Sequence, residues 1–235
     1  MSDNTNNGKS TNTEEEKKDS VVILGRTLSD NAAEIYKNIK SHLTKPIIFN
    51  ESIAESSNAF LSKDMIYTVE IKPNTSNFEK IFLHECSHLL QIEDDYPRIL
   101  NIAKNWTEEE EELLLMLENL LLDEQINQKL REFGFDIKNN STKYDVLYPL
   151  LFNKRQMDFP ENLSKRIAIE IVNVFQYDSN KHGAKMMKIC SNSIQNYAQK
   201  LLDVFNNYSS GINKDNCSNI YLELMGALKL SNTEN

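Results

Sequence analysis

The sequence predicts an α+β fold: a small N-terminal sheet with helices, followed by an all-helical C-terminal extension. Three observations carry this reading. Between Val21 and Ile71, short β-branched and aromatic runs alternate with turn residues. From Phe78 onward, apolar residues recur at helical spacing. Thr107 and Glu110 stand three apart before a leucine-rich run that stops at Gly134, the pattern of a helix capped at both ends.

The elements follow in order. Residues 1–19 are almost without apolar side chains, so burial cannot offset their ordering entropy and a disordered tail is expected. Val21–Leu24 reads as a strand, Ser29–Leu43 as a helix with apolar residues on one face, and Pro46–Phe49 as a second strand. Ala59–Leu61 and Met65–Ile71 form a hairpin pair across Ser62-Lys63-Asp64, with Tyr67, Val69 and Ile71 on one face. Phe78 to about Gln91 is helical, as is Glu108–Phe133. Beyond Pro160 the expected helices are Leu163–Phe175, Gly183–Tyr208 and Asn216–Lys229. The expected division is a tail over 1–19, a mixed domain over 20–136 and a helical extension over 137–235.

Composition narrows the function. The 235 residues carry 26 Lys+Arg against 35 Asp+Glu, a formal charge of -9, so the cationic footprint of a duplex-DNA binder is missing and no nucleic-acid partner is expected. No apolar run is long enough to span a bilayer, and the N-terminus lacks the pattern of a secretory signal. Cys86, Cys190 and Cys217 are too few and too scattered for a disulfide framework. A cytoplasmic protein without a membrane partner is expected.

Two of the four histidines fall in one motif, His84-Glu85-Cys86-Ser87-His88, an H-E-x-x-H. On a helix, residues four apart share a face. His84 and His88 can then bind one Zn²⁺ through nitrogen. Glu85 stands beside them as a general base, able to take a proton from water and pass it to a leaving amine. Cys86 reads as a small core residue.

A catalytic zinc needs a third protein ligand. No histidine follows at short range, so a carboxylate on the leucine-rich helix is the expected source. At 100° per residue, Asp123, Glu124 and Asn127 fall within about 60° of Leu120 on an apolar stripe, while Glu118 falls about 160° away. Asp123 and Glu124 are therefore the candidates, and Glu118 reads as a solvated surface charge. The run Glu108–Glu112 reads as a helix N-terminus favoured by the macrodipole.

These residues resemble the zincin metallopeptidases. The resemblance rests on the hairpin strand Ile66–Ile71, the H-E-x-x-H at residues 84–88 and the carboxylate helix around residues 118–124, and it covers roughly residues 20–135. The order looks like a minimal gluzincin domain, as in the ImmA/IrrE-like peptidases of bacteria and phages. A group of bacterial proteins is similar in more detail. It shows H-E-x-x-H, then Tyr-Pro, then Asn-x-x-x-(His/Asp)-x-x-Ile and Gly-Phe-Asp. Here these stand at residues 84–88, Tyr96-Pro97, Asn119, Asp123, Ile126 and Gly134-Phe135-Asp136. That pattern implies Asp123 as third ligand. It departs from standard gluzincins, which carry Glu-x-x-x-Asp where Asn119-x-x-x-Asp123 stands here.

The resemblance implies a zinc-dependent peptidase acting on a protein or peptide, with His84, His88 and Asp123 as ligands and Glu85 as base. In this class the strand before the motif helix often binds substrate backbone, which points to Met65–Ile71. A Tyr, His or Arg steadies the oxyanion, and Tyr177 and His182 are the candidates. The helical extension would wall the cleft or bind a protein partner. The alternative is a zinc-binding regulatory or interaction module without turnover.

Overall fold

Residues 20–230 are described by a computed structural model, except 55, 76, 100–105, 136–142 and 178–179. The tail expected over 1–19 lies outside the described residues, as do Asp136 and the boundary placed there. The fold is α+β and mostly helical, with eight helices, a two-stranded ribbon and a small three-stranded sheet among the described residues.

The expected first strand is β1 (Val22–Ile23), which pairs with an unforeseen β2 (Arg26–Thr27). Leu24 and Gly25 between them both take positive φ, 50° and 74°, as a tight two-residue turn requires. Helix α1 (Asp30–His42) starts at Ser29, whose hydroxyl accepts from the Ala32 amide. This satisfies one of the free donors at the helix start.

The main sheet has the order β3-β5-β4. β3 (Ile47–Glu51) is parallel to β5 (Tyr67–Ile71), and β4 (Asn58–Leu61) is antiparallel to it. The hairpin of β4 and β5 is the one expected, and Tyr67, Val69 and Ile71 all point into the core. The role proposed for Met65–Ile71 needs correction, however. β5 is the central strand, with β3 and β4 on its two edges, so no edge is left for a substrate strand. The edge strands are β3 and β4.

Helix α2 (Phe78–Glu93) carries the motif. Phe82 is fully buried and packs against Tyr36 and Phe49 at ring separations of 5.1 and 5.5 Å. Cys86 is likewise fully buried. Residues two further on lie about 200° round a helix, so burying Phe82 and Cys86 turns His84 and His88 away from this core.

Helix α3 (Glu108–Glu132) has the expected capping box between Thr107 and Glu110. It ends before Gly134, which adopts a φ of 82° open to glycine. Then come α4 (Lys143–Asn153), α5 (Glu161–Tyr177), α6 (Asn180–Ile189), α7 (Asn192–Asn207) and α8 (Lys214–Ala227). Two differences from expectation stand out. α4 was not foreseen, because Pro149 sits inside it. The single helix expected over 183–208 is two helices, α6 and α7. Ser191 takes the extended geometry of an N-cap (φ -64°, ψ 159°), and the Gln195 side chain donates back to the Cys190 carbonyl at 2.8 Å, satisfying an acceptor at the end of α6.

Buried side chains form two clusters. One joins α1, the strands and α2 with Ile126 and Leu130 of α3. The other joins Leu113–Leu122 of α3 with α4 to α8. α3 therefore belongs to both. No helix among the described residues is long and apolar enough to cross a membrane.

Candidate metal centre

α2 and α3 bring together the three residues nominated for metal binding. His84 Nε2 lies 3.4 Å from Asp123 Oδ1, and His88 Nε2 lies 3.2 Å from the same oxygen. The two imidazoles stand edge to face with centroids 4.9 Å apart. One ligand atom from each residue can be chosen so that all lie within 4.8 Å of one another. Among the described residues this is the one such group of His, Cys, Asp or Glu that could hold a metal ion. The side chains are 19%, 23% and 26% exposed, so an ion could reach them.

Hydrogen bonding sets the tautomer of His88. Gln91 is almost fully buried and donates Nε2 to the Leu122 carbonyl at 3.0 Å and to Gln125 Oε1 at 2.7 Å. Its Oε1 is thereby turned toward His88 Nδ1, 3.0 Å away. An amide oxygen only accepts, so His88 Nδ1 carries a proton and Nε2 is the nitrogen that faces Asp123, offering a lone pair to a metal or a second N–H to the carboxylate. Gln125 in turn donates to the Tyr96 hydroxyl at 3.3 Å. Such outer partners orient a ligating imidazole.

A carboxylate oxygen facing an imidazole lone pair repels it, so this trio calls for protons or a cation. Burial disfavours the charged form of His84, but the hydrogen bond and charge of Asp123 outweigh it and raise its pKa. Burial likewise works against the Asp123 carboxylate, yet His84 and His88 hold its carboxyl well below the ordinary range. Glu85 lies beside this group and is 9% exposed. Burial pushes its carboxyl up, with His84 and His88 pulling down and Asp123 adding to the rise. A raised carboxyl suits a group that must both accept and return a proton.

The group opens into a cavity of about 520 Å³. Its walls are β4 (Asn58, Ala59), α3 (Met116, Asn119) and α5 (Glu170, Asn173), with His84, Glu85, His88 and Asp123 facing in.

The other candidates lie elsewhere. Glu124 is buried and paired with Arg131, away from the histidines. Glu118 is 7% exposed, not a solvated surface charge. It pairs with Arg98 at 3.0 Å and accepts from the Ile99 amide at 2.8 Å, anchoring the chain that leaves α2. Helical phase misplaced it because α3 is packed on several sides. His182 stacks on Tyr144 at 4.0 Å and does not line the cavity; the Tyr177 side chain lies outside the described residues. Within Glu108–Glu112, Glu110 is the capping partner of Thr107, Glu109 accepts from Asn162 and Glu112 pairs with Arg166. Gln91 and Gln125 were not foreseen, because a glutamine gives no periodic signal and its role depends on the packing of α2 on α3; Tyr96 belonged to the resembling pattern, but its contact with Gln125 could not be read from it.

Comparison of the sequence with protein-family models, with curated proteins and with solved structures found no match in any of the three.

Proposed function

We propose that this chain is a zinc-dependent metallopeptidase of the H-E-x-x-H class, with His84, His88 and Asp123 as ligands and Glu85 as general base. The observation that carries the reading is the meeting of two helices at one spot: the ligand atoms converge there, and a buried carboxyl stands next to them in an open cavity. The donor set fits zinc. Ligand atoms at ~2.0–2.1 Å around a tetrahedral ion stand ~3.3–3.4 Å apart; the two histidine-to-Asp123 distances are 3.4 and 3.2 Å. Two imidazoles and one carboxylate also leave the fourth position open, as catalytic sites do.

When bound, the metal supplies Lewis acidity, which acidifies water and polarises a carbonyl. The remaining work falls to the chain. Glu85, uncharged more readily than an exposed glutamate, takes a proton from the attacking water and hands it to the departing amine. Gln91 keeps His88 in one tautomer. β4 offers its outer edge at the cavity wall, where an extended backbone could pair.

The test is Glu85→Gln beside His84→Ala. Purified wild-type protein is expected to carry one zinc and to cut members of a random peptide library read by mass spectrometry. Glu85→Gln should keep the zinc and lose cleavage by about a hundredfold or more, while His84→Ala should lose both. Wild-type protein without zinc would end the proposal. Zinc without cleavage in wild type would favour a binding module instead.

A further inference from the structure

Two polar side chains of the cavity take no part in the metal group. Asn119 is on α3, one helical turn before Asp123, and Asn173 is on α5; both line the same cavity. Asn119 is exposed and Asn173 half-buried. Among the described residues neither carboxamide has a hydrogen-bond partner.

Asparagine is one of the weaker helix formers, so the helices themselves do not call for either residue. The cavity around them is lined by the polar Asn58, Arg98, Lys143 and Glu170 together with the apolar Met116, Leu120 and Ile169. Their chemistry does match one ligand class. A carboxamide has one acceptor oxygen and one donor nitrogen, the reciprocal of a peptide bond's N–H and C=O. It has no charge with which to select a charged side chain. Position agrees as well. Four residues of helix rise ~6 Å, so Asn119 stands that far along α3 from Asp123. An extended chain covers ~6.6 Å in two residues. Asn119 can therefore meet a backbone amide about two residues from the bond above the metal group. The β4 edge contributes the facing wall of the cavity through Asn58 and Ala59.

We infer that Asn119 and Asn173 are substrate-positioning residues, which hold the backbone amides of an extended polypeptide segment lying between the β4 edge and the α3–α5 wall. The inference rests on the peptidase reading and deepens it. Its substrate class is unfolded or loop polypeptide, read through its backbone.

The experiment takes the library peptide that wild type cuts best and measures cleavage by wild type, Asn119→Ala, Asn173→Ala and the double variant. Each substitution should raise KM about tenfold, the weight of one lost hydrogen bond, with kcat within about twofold and with zinc content and melting temperature unchanged. The same peptide is then N-methylated at one amide at a time. Methylation at the contacted amide should weaken wild type about tenfold and leave the matching asparagine variant indifferent, a coupling that a merely structural role would not produce. If wild type cuts the library while the variants keep its KM, or if no methylated position couples to either asparagine, this inference is overturned and the peptidase reading stands. If wild type cuts nothing, both fall together.

Discussion

Gln91 offers the sharpest handle on the metal group, because it touches the proposed ligands without being one. Its Oε1 accepts from His88 Nδ1 at 3.0 Å, while its Nε2 is spent on Leu122 and Gln125. Gln91→Met keeps the length and removes the amide. His88 then loses the partner that fixes its tautomer, and Gln125 Oε1 loses a buried donor. Losing an outer partner lowers metal affinity about 10–100-fold, or about 1.4–2.7 kcal/mol. The orphaned Gln125 oxygen should also lower the stability of metal-free protein by about 1–3 kcal/mol. Affinity is read by competition against a chromophoric chelator at fixed pH, and stability by urea unfolding of stripped protein. Gln91→Glu separates the two effects. A carboxylate still accepts from His88, more strongly than an amide, but cannot donate to Leu122 or Gln125. It should therefore hold zinc at least as well as wild type while unfolding earlier. If Gln91→Met binds zinc within twofold of wild type, the tautomer argument is wrong. If Gln91→Glu loses zinc as Gln91→Met does, the acceptor is not what His88 needs.

Two predictions concern the frame around the site. Glu118→Ala should destabilise by about 1–3 kcal/mol in urea unfolding, because it leaves the buried Ile99 amide without an acceptor, while the partly exposed Arg98 guanidinium turns to solvent; zinc content should not change, and a loss below about 0.5 kcal/mol would return Glu118 to the surface class. Glu93 concerns pH. The hydroxyls of Tyr67 and then Thr44 hold its carboxyl at about 2, below its unfolded value. It therefore stabilises the fold in full above the ordinary glutamate range, and this contribution drains away as pH falls from there to about 2. Urea midpoints taken from pH 6 to pH 2.5 should fall less steeply for Glu93→Gln than for wild type, and parallel curves would refute the assignment.

What the sequence made legible was local. Thr107 and Glu110 meet within one turn, so the capping box could be read without knowing the fold. The alternation of Tyr67, Val69 and Ile71 could be read the same way, as could the four-residue step from His84 to His88. What stayed hidden depended on contacts far along the chain. The three strands were readable, but not that β5 would lie between β3 and β4. The break at Ser191 is hidden because serine is tolerable inside a helix and becomes a cap only when the chain must turn. α4 is hidden by Pro149, which argues against a helix on local grounds. Glu118 was misread because phase assumes one buried face, and α3 has more than one.

That last point also explains where the metal group sits. Leu113, Leu117 and Leu120 of α3 pack into the cluster shared with α4 to α8, whereas Ile126 and Leu130 pack into the cluster shared with α1, α2 and the strands. Asp123 stands at the changeover. A carboxylate placed in the middle of either cluster would be sealed in apolar surroundings and driven to its neutral form. At the junction it is a quarter exposed and still faces both histidines of α2. The same junction leaves room for the cavity, since two separate clusters cannot close fully around one helix. The C-terminal helices are thus not an appendage to the site. They hold the first half of α3 in place, and through α5 they supply a wall that α2 and the strands alone could not build.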